Sequence, residues 1–293
     1  MKPTLCCMFH KEPIKFKIYT KKRLFELSLE ERIKKIDETI RHNVQSLQRA
    51  IDYCYENGIE SYRVGSDLIS HYDTVKDIVD LEPYFELFRE VDTKGINLSM
   101  HPGQYCIINS PKENVVENSL KDLHYHKLIA DCLGFKELNI HVGGVYGDKA
   151  SAIQRFIDTV NKNPWLKDYL TIENDELSFC ADDCLYIANE VGIPFTFDLH
   201  HERCYWLNEG IVPDVYNIFE RSSQTWSNRD HIRIHISSPK DGYTTPSKSR
   251  PHSDYITESD IVKLQSDKTI YVDVEAKHKE VAVKQFKEHL SLI

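Results

Sequence analysis

Along the chain, short apolar runs rich in β-branched and aromatic residues alternate with longer segments whose apolar positions recur at helical spacing. The runs are TLCCMF (4–9), SYRVG (61–65), NLSMH (97–101), ELNIHV (137–142), LTIEN (170–174), FTFDL (195–199), HIRIHI (231–236) and TIYVDVEA (269–276). The first intervening segment opens on Ser28-Leu29-Glu30-Glu31, a capping box, and stops at Asn57-Gly58, with Ile33, Ile36, Ile40, Val44, Leu47 and Ile51 on one helical face. Further helices are predicted over 81–94, 114–133, 148–162, 180–191, 212–221, 257–265 and 278–291. Strand followed by helix, repeated about eight times, is the pattern of parallel βα units, and it predicts a closed (β/α)8 TIM barrel. An open doubly wound sheet is the rival arrangement. Nothing resembling a linker, a low-complexity tract or a repeat interrupts the series, so residues 1–293 read as one barrel domain with its site at the C-terminal ends of the strands.

Length and charge narrow the reading. A chain of 293 residues suits one such barrel. With 37 basic against 46 acidic residues the net charge is -9, which argues against nucleic-acid binding by bulk charge and leaves only a local basic face for that purpose. The start, MKPTLCCMFHKEPIKFK, lacks the apolar core of a signal peptide, and no run approaches the roughly 20 apolar residues of a membrane span. A cytoplasmic or nucleoid-associated monomer is expected. The eight cysteines are scattered, and the close pairs Cys6/Cys7 and Cys180/Cys184 do not match zinc-knuckle spacing, so reduced, mostly buried thiols are expected.

What changes the picture is how the strands end. The third to eighth finish on His101, His141, Glu173, Asp198 with His201 just beyond, His235 and Glu275. A lone histidine at a strand end is ordinarily a polar side chain with a hydrogen bond, but a barrel brings the C-terminal ends of all its strands to one face. Side chains alternate along a strand, so Ser99, Asn139, Thr171, Thr196, Arg233 and Asp273, each two residues earlier, share that inward side, and all are polar. A buried hydrogen-bond network without metal would carry a steep desolvation cost for so many carboxylates and imidazoles. Mixed histidine and carboxylate ligands suit zinc, manganese or iron, and their number fits two or three ions. A carboxylate shared between two ions suits phosphodiester hydrolysis; a divalent-metal sugar isomerase or epimerase would lean more on carboxylates.

In order and spacing, MHPGQY, HVGG followed by YG-K, IENDE, D-L-HH, IH-SSP, RPH and VEAKHKE resemble the UV damage endonucleases over roughly residues 60 to 280. Those enzymes are similar to endonuclease IV within the xylose-isomerase-like barrels. The resemblance implies a metal-dependent DNA repair endonuclease acting on double-stranded DNA. It would nick immediately 5′ of cyclobutane pyrimidine dimers and (6-4) photoproducts, leaving a 3′-hydroxyl and a 5′-phosphate. Manganese is the expected ion, with zinc or another transition metal the alternative. The same resemblance implies that His101, His141 and Glu173 hold one ion and that Glu173, Asp198, His235 and Glu275 hold a second, Glu173 being the bridge. It assigns His201 and His252 to a third, puts His71 near the site, and makes Gln104 and Tyr105 a wedge for the duplex. A wedge is physically sensible there, since Pro102-Gly103 turns the chain out of the barrel and a poorly stacked lesion costs less to open than normal DNA.

Three departures from the family pattern stand out. The N-terminal segment CCMFHKEP offers only Phe9 where members often supply a lesion-pocket aromatic and an asparagine. Arg233 occupies the position where some members carry a carboxylated lysine, which excludes a carbamate. His200 precedes His201, so a one-residue shift would exchange them. Lys149, Lys240, Lys248, Arg250, Lys277 and Lys279 fall in the same rim loops and form the local basic face, two or three of them being expected to reach DNA. Within the same chemistry the alternative substrate is an abasic site.

Overall fold

The computed structural model describes residues 1–257 and 263–291. Eight parallel strands close into a barrel in chain order: β1 (Lys2–Cys6), β2 (Ser61–Val64), β3 (Asn97–Met100), β4 (Leu138–His141), β5 (Leu170–Glu173), β6 (Phe195–Asp198), β7 (His231–Ile236) and β8 (Thr269–Val274). The circle shuts where Lys2, Pro3 and Thr4 pair with Tyr271, Val272 and Asp273. Around it run α1 (Leu29–Glu56), α2 (Glu82–Arg89), α3 (Glu113–Leu133), α4 (Lys149–Lys162), α5 (Ala181–Val191), α6 (Leu199–Trp206), α7 (Val215–Thr225) and α8 (Lys279–Ser291). No helix among the described residues is long and apolar enough to cross a membrane.

The two faces of each strand divide the chemistry. Leu5, Tyr62, Val64, Leu98, Ile140, Ile172, Phe195, Phe197, Ile232, Ile234, Val272 and Val274 are buried in the core that the barrel shares with its helices. The alternate positions carry the polar set foreseen from spacing, and Ser99, Asn139, Thr171, Thr196, Arg233 and Asp273 are all buried. Arg233 fills the lumen. Its guanidinium donates to Asp273 Oδ1 at 2.5 Å, Thr4 Oγ1 at 3.2 Å and Ser61 Oγ at 3.3 Å, and also to Glu137 and Asn97. Five donors in a rigid fork thus satisfy side chains from β1, β2, β3, β8 and the entry to β4, something a point-charge ammonium does poorly.

Several boundaries move for physical reasons. β1 stops at Cys6 rather than 9, because Cys7 adopts φ 60° and Met8 N folds back onto Cys6 O at 2.7 Å. The helix expected from 212 starts at Val215, after Pro213, with the Asp214 carboxylate accepting from Asn217 N at 3.2 Å. The helix expected over 81–94 ends at Arg89 before a turn in which Lys94 and Gly95 take positive φ. Helix α6 was not foreseen, since FTFDLHH reads as a strand running into a loop. The helix expected over 257–265 falls mainly on positions outside the described residues. All eight cysteines are free and six are buried.

Replacing Arg233 with methionine takes the guanidinium from buried Glu137 and Asp273, leaving Glu137 with His231 and Asp273 with Arg63 and His235. We expect a loss of about 3–5 kcal/mol in urea unfolding, and a loss below about 1 kcal/mol would show that the lumen network is not holding the barrel closed.

Candidate metal centre

Glu173, the last residue of β5, is the side chain on which the site turns. It is buried, its Oε2 lies 3.0 Å from His101 Nε2 and is held by Asn139 Nδ2, and its Oε1 lies 3.1 Å from His235 Nδ1 and 3.4 Å from His201 Nδ1. Asn139 is itself aimed by a relay, Thr196 Oγ1 donating to Thr171 Oγ1 at 3.1 Å and Thr171 Oγ1 to Asn139 Oδ1 at 2.8 Å. The inward positions below the strand ends therefore orient the carboxylate above them.

Asp198 is placed by the start of α6. Its Oδ1 caps that helix, accepting from His201 N at 2.7 Å, while Asn174 clamps its main chain with two bonds of 2.9 Å. The free Oδ2 is buried without a hydrogen-bond partner. His235 comes from β7, with Nε2 3.3 Å from Asp273 Oδ2, so that a proton on Nε2 leaves Nδ1 for Glu173 and for Glu275 Oε1 at 3.5 Å. His101 Nδ1 lies 3.0 Å from the Pro102 carbonyl, which accepts but cannot donate. Its Nε2 lone pair then faces a carboxylate oxygen, an arrangement that calls for a cation between them.

Three groupings result whose ligand atoms lie within 4.8 Å of one another: His101, His141 and Glu173; Glu173, Asp198 and His201; Asp198, His235 and Glu275. The residues fit divalent ions on two grounds. The donor set is mixed imidazole and carboxylate, and His141 Nδ1, Asp198 Oδ2 and both His235 nitrogens are buried yet unsatisfied by hydrogen bonds.

The electrostatics make the same point. Burial by itself would push Glu173 up, but His235 and His141 outweigh it and hold the carboxyl well below its usual range. Burial lowers His141, whereas for His235 the Glu173 and Asp273 carboxylates overcome burial and lift the imidazole to about 10. His201 is likewise raised, against burial, by Asp198 and Glu173. Protons on His201 and His235 supply the positive charge that the carboxylates require.

Among the other expected residues, His201 turns into the cluster while His200 turns away, towards Tyr243 Oη at 3.1 Å and the Arg250 carbonyl at 3.3 Å. His252 lies at the edge, its Nδ1 2.7 Å from the Glu275 carbonyl and 3.9 Å from Glu275 Oε2, with its ring 5.4 Å from His200. The bridge between Pro239 and His252 draws the long loop back to that position. His71 is not brought to the cluster; it is exposed, with Nε2 3.0 Å from the Tyr19 carbonyl. Phe9 packs edge-on against Tyr53 at 5.2 Å, within the wall rather than over the site. Lys149 is bound to Asp183 at 2.7 Å and Tyr205 Oη at 3.0 Å, and Arg250 Nε lies 3.9 Å from Glu176. Lys240, Lys248 and Lys277 are exposed, Lys279 half-buried. Gln104 and Tyr105 stand out from the β3 loop, Tyr105 being 65% exposed.

Sequence reasoning missed Arg63. From β2 it donates to Glu275 Oε1 at 2.6 Å and Asp273 Oδ2 at 3.3 Å. The same inward parity would have found it, since Arg63 pairs in register with Ser99. Asn174 and Glu176, hidden within IENDE, were also passed over.

The sequence profile of the UV-endonuclease UvdE family matches residues 4–293. The chain belongs to this family. The UV DNA damage endonuclease of Bacillus velezensis is 32% identical, over 98% of this chain and 92% of that relative. Among solved structures, SacUVDE aligns with a TM-score of 0.79 at 25% identity, covering 100% of this chain and 98% of the other. Endonuclease IV from Thermus thermophilus aligns at a TM-score of 0.60 over 84% of this chain and 94% of its own, and at 12% identity it shares the fold alone. This UvdE-family chain is thus a DNA repair endonuclease, with DNA as its substrate.

In chelator-treated protein the proton on His235 stabilises the fold fully below its unfolded value of about 6.5. That contribution is lost as pH rises through about 10. Urea unfolding across pH 8 to 11 should therefore show wild type losing more stability than His235→Gln; parallel curves would contradict the assignment.

Proposed function

We propose that this endonuclease is metal-dependent and hydrolyses the phosphodiester immediately 5′ of UV photoproducts in double-stranded DNA, leaving a 3′-hydroxyl and a 5′-phosphate. The observation that carries the reading is the sharing of Glu173 and Asp198 among converging ligand groupings in which His141 Nδ1, Asp198 Oδ2 and both His235 nitrogens are buried without hydrogen-bond partners. In this reading His101, His141 and Glu173 hold one ion, and Glu173, Asp198, His235 and Glu275 a second. His201, which lies with Glu173 and Asp198, and His252 at the rim serve any third. Divalent ions there, manganese first among candidates, supply charge stabilisation of the phosphate under attack and lower the pKa of the attacking water.

The protein's own groups do the rest. Asp273 faces His235 Nε2, and Arg63 holds Glu275 in place. Asn139 holds the Glu173 carboxylate, and Asn174 holds the main chain of Asp198. Gln104 and Tyr105, exposed beside His101, enter the duplex at the lesion, where a distorted dimer is cheaper to unstack than a regular step. Among the described residues of the rim, Lys240, Lys248 and Lys277 are the cations for phosphate contact, since Lys149 is committed to Asp183.

Incubation with labelled duplexes carrying either a cyclobutane dimer or an abasic site, with manganese or with chelator, tests this reading. Nicking 5′ of the dimer only with metal is expected; nicking confined to the abasic site, or undiminished by chelator, overturns it. Glu173→Gln should abolish incision while retaining part of the affinity for the damaged duplex, and full activity in that variant removes the bridging role.

A further inference from the structure

We propose that Tyr146 is a second base-stacking residue, taking the face of one unstacked nucleobase in the hollow between the β3, β4 and β5 loops. The inference rests on the DNA-nicking reading above and adds a binding position to it. The hollow has a volume of about 380 Å³ and is walled by Gln104, Gly144, Tyr146, Glu176 and Leu177, with His141 at its base. It thus adjoins the candidate metal centre on the side of the β3 loop that carries Gln104.

Tyr146 stands there in a conformation that a loop tyrosine does not adopt for its own sake. Its φ of 53° is in the left-handed region, disfavoured for a residue with a Cβ, and its side chain remains 47% exposed. The loop is built to hold it. A Cβ on Gly144 would meet the ring at 3.0 Å, and one on Gly143, at φ 113°, would collide with Asn109 Oδ1. Asn109 Nδ2 donates to Gly144 O at 3.0 Å, and Arg155, which donates to the Asn109 carbonyl at 2.8 Å, sets its guanidinium 5.6 Å from the ring centroid. Strain that persists because the surroundings over-determine it is a pointer to function. A similar glycine–tyrosine contact occurs in the β3 loop, where a Cβ on Gly103 would come within 2.5 Å of the Tyr105 ring.

The chemistry of the walls selects the occupant. Asp175 and Glu176 line the hollow together with apolar Leu177, which is 61% exposed, and no lysine or arginine does so among the described residues. A phosphate is repelled by such walls. A nucleobase suits them, presenting a flat apolar face to Tyr146 and an amino edge to Glu176, the Asp175 carboxylate being taken up by the backbone N–H groups of Leu177, Ser178 and Phe179.

Two variants test the proposal on duplexes carrying one photoproduct. Tyr146→Gly removes the ring and relieves the backbone, so its thermal midpoint should equal or exceed that of wild type while affinity for the damaged duplex falls about ten- to a hundredfold. Tyr146→Trp should keep wild-type affinity, and its added emission, beyond that of the three native tryptophans, should be quenched when the damaged duplex binds. Binding by Tyr146→Gly within twofold of wild type, or unquenched emission from Tyr146→Trp, overturns the proposal. Incision by wild type is scored in parallel. Wild type that binds and cuts while Tyr146→Gly binds equally well sinks this inference alone, and a binding defect in Tyr146→Gly with no cutting by wild type sinks only the nuclease reading. Wild type that fails to bind the duplex overturns both.

Discussion

A carboxylate sealed inside a barrel must have positive charge beside it, and Glu173 sets that requirement for the whole molecule. Desolvation works against its ionised form, so the fold surrounds it with His141 and His235 from two other strands, His101 from the exit of β3 and His201 from helix α6. The polar layer below holds these groups in place, Asn139, Thr171 and Thr196 aiming Glu173 and Asp273 facing His235, at inward positions that a typical barrel would fill with aliphatic side chains. Arg233 then neutralises the carboxylates that this polarity brings into the lumen. Site and scaffold are thus one connected charge network, from the rim to the floor.

Much of this was legible in the chain. Parallel strands buried on both faces read as short apolar runs, and period-two alternation within HIRIHI and TIYVDVEA separates the lumen set from the core set without ambiguity. The convergence of His101, His141, Glu173, Asp198, His235 and Glu275 follows from topology alone once the barrel is recognised. What stayed hidden depends on local geometry. Helix α6 begins inside a segment whose propensities favour a strand, because a capping carboxylate decides its start. Lys149 looks like a free cation until Asp183, from the next helix, is seen beside it. Arg63 escaped notice because β1 and β2 end without a histidine or carboxylate, although its register with Ser99 was available.

The rim divides into two unlike halves. On the side of the β7 loop and β8, exposed lysines at 240, 248 and 277 offer cations, whereas the β4 and β5 loops offer aromatic, aliphatic and acidic surface around Tyr146 and Glu176. A polyanion with flat bases meets these halves differently, by charge on one and by stacking on the other. An acidic protein can thereby engage DNA without a uniformly basic face.

Asp198 closes β6 and opens α6 with the same carboxyl group. The junction therefore has no slack: one oxygen is spoken for by the helix, and the other is left in a single direction by the turn rather than by a choice of rotamers. An added residue between positions 198 and 201 would uncouple the helix from the strand and swing that oxygen away, so the spacing D-x-x-H is as much a mechanical dimension as a chemical one. Asparagine at this position would preserve the architecture and discharge the anion, whereas alanine would forfeit both at once.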